Sequence, residues 1–187
     1  MSKAVSQQRR EIFPDIERDD AVGEAVRAQI GREAYDLYSQ QQCCGGLNFG
    51  YFYADSPIIA YDGEPHPAYS MGRCEPSSVP GCRAPHVWLS DGRSLYDALG
   101  DGYGLIRFDK SVAVDGLMGA ASRRGVPLVV LDIDDEAAGA RYARKLALVR
   151  PDRHVAWRAN VEPDQPLALI DHGVECRQAE AEQRVEP

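Results

Sequence analysis

The second half of the chain alternates short apolar runs with helical patterns, and this order limits the fold most strongly. YGLIRFD predicts a strand, and VDGLMGAASRRG predicts a helix that ends at Gly125. VPLVVLDI is a continuous apolar run, which predicts a central strand buried on both faces. DEAAGARYARK predicts a second helix, LALVR and HVAWRA an antiparallel hairpin turned at PDR, and DQPLALIDHGV a last helix.

This order of elements predicts a mixed sheet with helices on both faces, because two crossovers precede a hairpin. It is the order of a thioredoxin-like fold. The predicted fold class is therefore α/β, a thioredoxin-like mixed sheet with flanking helices, preceded by an N-terminal helix and an irregular aromatic connector. We divide the chain into a helical arm (1–45), the connector (46–80), a thioredoxin-like domain (81–175) and a disordered tail (176–187).

The N-terminal arm is predicted as one amphipathic helix from about Asp15 to Gln42, capped by Asp19 or Asp20 and ended by the pair Gly45-Gly46. Apolar side chains recur every four residues and form a stripe: Val22, Val26, Ile30, Ala34 and Tyr38. Two internal glycines each cost about 1 kcal/mol relative to alanine. The helix is therefore expected to need a partner surface.

The connector is rich in proline and aromatic residues, which predicts irregular structure crossing a neighbouring surface. Its apolar side chains are Phe49, Tyr51, Phe52, Tyr53, Ile58 and Ile59. With the helical stripe they are expected to form a docking surface.

The charge balance excludes several classes of partner. Lys+Arg 21 against Asp+Glu 29 gives a formal charge of -8, and no basic stripe is visible, so neither a nucleic acid nor an anionic membrane surface is expected as a partner. No apolar run approaches the ~20 residues of a membrane span. The N-terminus lacks the apolar stretch of a secretory signal, so a cytoplasmic location is expected.

Three further motifs have both a functional and a structural interpretation. Thiol–disulfide exchange needs a Cys-x-x-Cys after the first strand, where this chain has FDKSVAVDGLMG, and the five cysteines are expected to be reduced and inert. VVLDIDDE resembles the opening motif of haloacid-dehalogenase-type phosphotransferases, in which Asp132 would attack phosphorus and Asp134 would act as acid/base. The simpler interpretation is that these carboxylates cap the following helix. The glycines of LGDGYG precede a strand instead of opening a helix, which indicates a turn and not a nucleotide loop.

Two segments carry a more specific resemblance. PGCRAPHVWLSDGRSLYDALGDGYGLIRFD and KLALVRPDRHVAWRA resemble the C-terminal region of FAD-dependent aromatic-ring hydroxylases of the phenol hydroxylase type, and GLNFGYFYADSPIIAYDGE resembles the stretch upstream of it. The matching positions with a structural or docking role are Arg83, Pro85, His86, Trp88, Asp97, Arg150, Asp152 and Trp157. Trp88 and Trp157 are expected to pack in the core or on the sheet.

The resemblance implies the C-terminal part of an FAD-dependent, NAD(P)H- and O₂-dependent aromatic monooxygenase. FAD belongs to the intact family enzyme. This chain lacks the family's flavin-binding motifs, so no bound cofactor, no metal and no catalytic residue is expected in it, and it is expected to be inactive alone. The implied partner is a flavin and substrate domain, or a second copy of the chain. The alternative is a non-catalytic thioredoxin-like interaction or dimerisation module, or a split subunit that pairs with a flavoprotein.

Overall fold

The computed structural model describes residues 15–42 and 44–173. Cys43, Cys176 and the predicted tail lie outside the described residues. The helices are α1 (Ala21–Gln42), α2 (Gly45–Phe49), α3 (Leu95–Ala98), α4 (Asp115–Arg124), α5 (Glu136–Tyr142) and α6, which begins at residue 166 and continues to the last described residue, 173. The strands are β1 (Tyr103–Arg107), β2 (Leu128–Asp132), β3 (Leu146–Val149) and β4 (Val155–Ala159).

The four strands form one mixed sheet in the order β2-β1-β3-β4. β1 pairs parallel with β2 and antiparallel with β3, and β3 pairs antiparallel with β4. The predicted mixed sheet with flanking helices is therefore confirmed, with the predicted order of elements. Within the described residues, no helix combines the length and apolar character that a bilayer crossing requires.

Alternation along the strands sends neighbouring side chains to opposite faces of the sheet. Leu105 of β1 packs with Leu117 of α4, and the next residue, Ile106, packs with Tyr142 of α5. We call these two sides the α4 face and the α5 face. Ile59 of the connector is buried on the α4 face. This stretch of the connector therefore contributes to the core of the sheet domain.

The position predicted for VPLVVLDI is wrong. β2 is an edge strand and not the central strand, and Val129 is 50% exposed. Leu128 and Val130 pack on the α4 face, and Leu131 packs on the α5 face. An apolar run indicates that both faces of a strand are partly covered, but it does not indicate whether the strand has one neighbour in the sheet or two. In this sheet β1 and β3 are the inner strands.

Local capping explains where the helices begin. Asp20 accepts hydrogen bonds from the backbone N–H groups of Val22 and Gly23, so α1 starts at Ala21 and not near Asp15. Asp135 caps α5 by accepting from the backbone N–H of Ala138. The Gly45-Gly46 pair, expected to end the first helix, instead opens α2.

The connector runs along β4 and is held there by backbone hydrogen bonds. The backbone N–H of Ala60 donates to the carbonyl of Ala156, and that of Gly81 donates to the carbonyl of Val155. Gly81 has φ 97°, and a Cβ atom there would lie 2.3 Å from the carbonyl oxygen of Tyr53. Only glycine allows the two backbones to approach this closely.

A buried arginine fixes the same contact with side chains. Arg158 of β4 is 4% exposed. Its guanidinium donates to Asp62 at 2.8 Å, to Glu64 at 2.6 Å and to the hydroxyl of Ser78 at 2.7 Å. Arg144 also pairs with Glu64. We call this group, which joins the connector to β4, the Arg158 clamp.

Replacing Arg158 with methionine is expected to lower the free energy of unfolding by about 2 kcal/mol. The loss is smaller than for a fully buried pair, because the carboxylates of Asp62 and Glu64 can regain water. Urea denaturation near neutral pH measures it. Arg123→Met is the control, since Arg123 is exposed on α4 and forms no ion pair within the described residues, and it should change stability by less than about 0.5 kcal/mol. Equal losses in the two variants would contradict the clamp.

Candidate functional site

Three of the eight candidate residues, Arg83, Pro85 and His86, line one cavity of about 270 Å³. We call it the Arg83 cavity. Ala84, in the same segment as Arg83, adds to the lining, and the other walls come from α2, the connector and α3: Phe49, Cys74, Pro76 and Tyr96. The lining contains one permanent positive charge and no carboxylate.

The segment that carries Arg83 is fixed by the turn between β3 and β4. Arg83 forms a β-bridge with His154, and the backbone N–H of Ala84 donates to the carbonyl of Arg153 at 2.8 Å. Two tyrosine hydroxyls hold the following carbonyls: Tyr96 donates to that of Ala84 at 2.6 Å, and Tyr142 to that of Pro85 at 2.9 Å. Burial raises the pKa of Tyr142, so this hydroxyl keeps its proton.

The side chains of the cavity are ordered by ring contacts. The guanidinium carbon of Arg83 lies 5.2 Å from the ring centroid of Tyr96 and 5.6 Å from that of Phe49. Nε2 of His86 lies 3.0 Å from the hydroxyl of Ser94, and that hydroxyl caps α3 by accepting from the backbone N–H of Tyr96. The sequence SLYDAL therefore positions both His86 and Tyr96.

Arg150 and Asp152 lie in a second group, the Asp152 cluster, on the same turn. Arg150 pairs with Asp152 at 3.0 Å, the hydroxyl of Tyr53 donates to Asp152 at 3.3 Å, and Nδ1 of the fully buried His154 lies 3.5 Å from the same carboxylate. The ring of Tyr51 packs 4.9 Å from that of His154. Arg83 and His154 are bridged, so the two groups adjoin.

The electrostatics of the Asp152 cluster favour the ionised carboxylate. Burial, the largest influence, would raise the pKa of Asp152. Hydrogen bonds from His154 and Arg150, with the positive charge of Arg150, outweigh it and hold the pKa well below its ordinary value. Nη1 of Arg150 and Nε2 of His154 are buried and have no hydrogen-bond partner within the described residues.

The remaining candidates lie outside both groups. Asp97 is exposed on α3. Trp157 of β4 packs on the α4 face, as expected. Trp88 does not pack in the core: it is 69% exposed and touches the ring of His86 edge-on. The reason is that HVWLS lies in a surface loop joined by a single bridge between Trp88 and Ser94, not in the sheet.

The phosphotransferase interpretation of VVLDIDDE has no support in the geometry. Both carboxylate oxygens of Asp132 accept from Arg107, at 2.6 and 3.0 Å, and Asp135 caps α5. Among the described residues no group of three or more His, Cys, Asp or Glu side chains could hold a metal ion.

Sequence reasoning missed the partners that make these residues into sites. Tyr96 and Phe49 complete the Arg83 cavity, and Tyr53 and His154 complete the Asp152 cluster. The aromatic spacing of the connector was a usable signal, since YFY places Tyr51 and Tyr53 on one side of an extended chain. No local signal marks His154.

Comparisons with known proteins agree on one family. The model described as aromatic-ring hydroxylase, C-terminal, matches residues 77–172. An FAD-dependent monooxygenase of Penicillium oxalicum, opdD, is 30% identical over 153 residues, covering 78% of this chain and 28% of the relative. Phenol 2-monooxygenase of a Pseudomonas species is 29% identical over 183 residues, covering 87% of this chain and 29% of the relative.

Solved structures show the same relationship. RebC-10x, in a structure described as native and K252c-bound, superposes with a TM-score of 0.70 at 33% identity, covering 91% of this chain and 32% of that one. The flavin-dependent monooxygenase PieE, in complex with FAD and substrate, gives 0.63 at 26% identity, covering 86% and 30%. The chain therefore spans less than a third of the length of these relatives.

Replacing Asp152 with asparagine is expected to lower the free energy of unfolding by about 1 to 2 kcal/mol near neutral pH, because Arg150 and His154 lose their anionic partner. The depressed pKa makes this stabilisation fully present above the unfolded pKa of about 3.9 and lost as pH falls towards the folded value. The gap between wild type and variant should therefore shrink below about pH 4.

Urea denaturation over a pH series tests this dependence. Asp97→Asn is the matched control, because Asp97 is exposed and its side chain forms no hydrogen bond or ion pair within the described residues. A gap for Asp152→Asn that stays constant as pH falls would show that the carboxylate is not stabilised by its neighbours.

Proposed function

We propose, because this chain belongs to the family of aromatic-ring hydroxylase C-terminal domains, that it serves as the C-terminal module of an FAD-dependent aromatic monooxygenase. The observation that supports this proposal most directly is that the family match over residues 77–172 contains the whole four-stranded sheet and five of the eight residues that line the Arg83 cavity. The module has a positioning role in this proposal. The flavin, which the rest of the enzyme would hold, would supply the chemistry that hydroxylates the aromatic substrate.

The described residues do not fit FAD. A dinucleotide site presents the free N–H groups of a glycine-rich turn at a helix N-terminus to the diphosphate. Here the turn with Gly100 and Gly102 leads into β1, where the backbone N–H of Tyr103 donates to the carbonyl of Pro127. At the N-terminus of α4, the carboxylate of Glu162 already accepts a hydrogen bond from the backbone N–H of Leu117 at 2.7 Å. We therefore assign no step of the reaction to these residues.

The element proposed to dock on the flavin and substrate portion is α1. It has 22 residues, includes Gly23 and Gly31, and has no extensive packing against the sheet. An isolated helix of this composition is marginal in water. Val22 is 48% exposed, and Val26, Ile30 and Ala34 along the same stripe are not fully covered. A partner surface over this stripe would supply the missing stabilisation.

The FAD part of the proposal has a direct test. The purified chain, incubated with excess FAD and desalted, is expected to show no flavin absorbance, because no described segment cradles the diphosphate. PieE, whose structure holds FAD, serves as the positive control. A stoichiometric yellow complex of the chain alone would refute this assignment.

The docking of α1 can be tested in a chimera in which this chain replaces the matched region of the Pseudomonas phenol 2-monooxygenase. Ile30→Asp places a charge in the stripe and is expected to reduce flavin retention and phenol-dependent oxygen uptake by about tenfold or more. Ala28→Asp adds the same charge on the exposed side and should leave both within about twofold of the parent chimera.

Sedimentation of the unfused chain separates this role from dimerisation. Two results together would favour the interaction-module alternative over the proposed docking. The first is that the chain self-associates at tens of micromolar and that Ile30→Asp abolishes this association. The second is that Ile30→Asp changes neither flavin retention nor oxygen uptake in the chimera.

A further inference from the structure

We propose that the Arg83 cavity binds a small carboxylate that carries an apolar ring. The inference concerns a site on this module and does not rest on the proposed function. It starts from the composition of the lining, which is apolar apart from Arg83, His86 and the edge of Tyr96, and includes no anionic side chain. A cavity that contains one cation and no carboxylate favours an anion locally, even in a chain with a net charge of -8.

The guanidinium of Arg83 is available to pair with the carboxylate of a ligand. Among the described residues, no carboxylate pairs with Arg83, whereas Arg107, Arg124, Arg150 and Arg158 each have one. Its guanidinium carbon lies over the rings of Tyr96 and Phe49. Contact with aromatic rings leaves the N–H groups of a guanidinium able to form a bidentate pair with a carboxylate.

The cavity is held in shape before any ligand binds. The carbonyls of Ala84 and Pro85 are fixed by the hydroxyls of Tyr96 and Tyr142, and Arg83 is fixed by its bridge to His154. Such preorganisation reduces the entropy that binding must overcome.

The size and shape of the Arg83 cavity limit what the rest of the ligand can be. A volume of about 270 Å³ lies just below the range of about 300–1,000 Å³ that is typical of small-molecule sites, which suits a single ring and not a larger scaffold. Pro76 and Pro85 add rigid apolar walls to the rings of Phe49 and Tyr96. A flat apolar body with one carboxylate at its end is complementary to this arrangement.

Benzoate is the probe, and the full chain is the protein. Benzamide has the same ring without the charge, and acetate has the charge without the ring. Benzoate is expected to bind saturably with a Kd on the order of 1 mM and at least about tenfold more tightly than either analogue. Backbone amide shifts in the ¹H–¹⁵N spectrum should concentrate at residues 74–76, 83–86 and 96. Trp88, which touches His86, should report the same saturation by fluorescence.

Arg83→Gln is expected to weaken benzoate binding by about tenfold or more, and Arg83→Lys by an intermediate factor, because lysine keeps the charge but not the planar fork. Arg153→Gln is the matched control. Arg153 also lies over Tyr96, at 5.9 Å, but it is outside the cavity lining and should change the affinity less than about twofold. A thermal melt of each variant checks folding.

Three results would overturn the proposal: benzamide or acetate binding as tightly as benzoate, Arg153→Gln weakening binding as much as Arg83→Gln, or shifts spread outside the cavity. If Arg83→Gln does not fold, the ligand series and the shift map on the wild-type chain still decide the question.

Discussion

The guanidinium of Arg158 is the constraint on which the rest of the structure depends. β4 is an edge strand, and an uncovered edge presents unpaired backbone groups to any other chain. The connector covers that edge through its hydrogen bonds to Ala156 and Val155, and the Arg158 clamp holds the connector in place. Asp62 shows the balance of forces: its burial alone would raise its pKa, but hydrogen bonds from Arg158 and the backbone of Glu64 hold it below the ordinary value.

The connector, once fixed along β4, brings its aromatic residues to the β3–β4 turn. Tyr53 reaches Asp152 only because its backbone is paired with Gly81, and Phe49 reaches Arg83 at the start of the same path. Both the Asp152 cluster and the Arg83 cavity therefore depend on the connector covering the edge of β4. Loosening the clamp should therefore affect both groups together, although neither contacts Arg158 directly.

The sequence was sufficient for the element types and their order, since periodicity and caps are local. Asp20, Asp135 and Gly125 mark helix boundaries through contacts within a few residues. The placement of β2 at an edge, the exposure of Trp88 and the pairing of Arg158 with Asp62 depend on which segments meet across long separations. Arg158 and Asp62 are 96 positions apart, and nothing near either residue indicates the other. The family resemblance indicates the candidate residues, but it does not indicate the side chains that contact them in the structure.

The fold also explains why we assign no chemistry to the place where thioredoxin-like enzymes carry their thiols. That place is the N-terminus of the helix after β1, where free N–H groups stabilise an anion. Here the preceding loop has no cysteine, and Glu162 brings a carboxylate of the chain itself to the backbone N–H of Leu117. A thiolate or phosphate at this point would compete with a tethered carboxylate that is already hydrogen-bonded. Arg83, by contrast, has no carboxylate partner among the described residues and lies in a cavity built by residues from four separate segments.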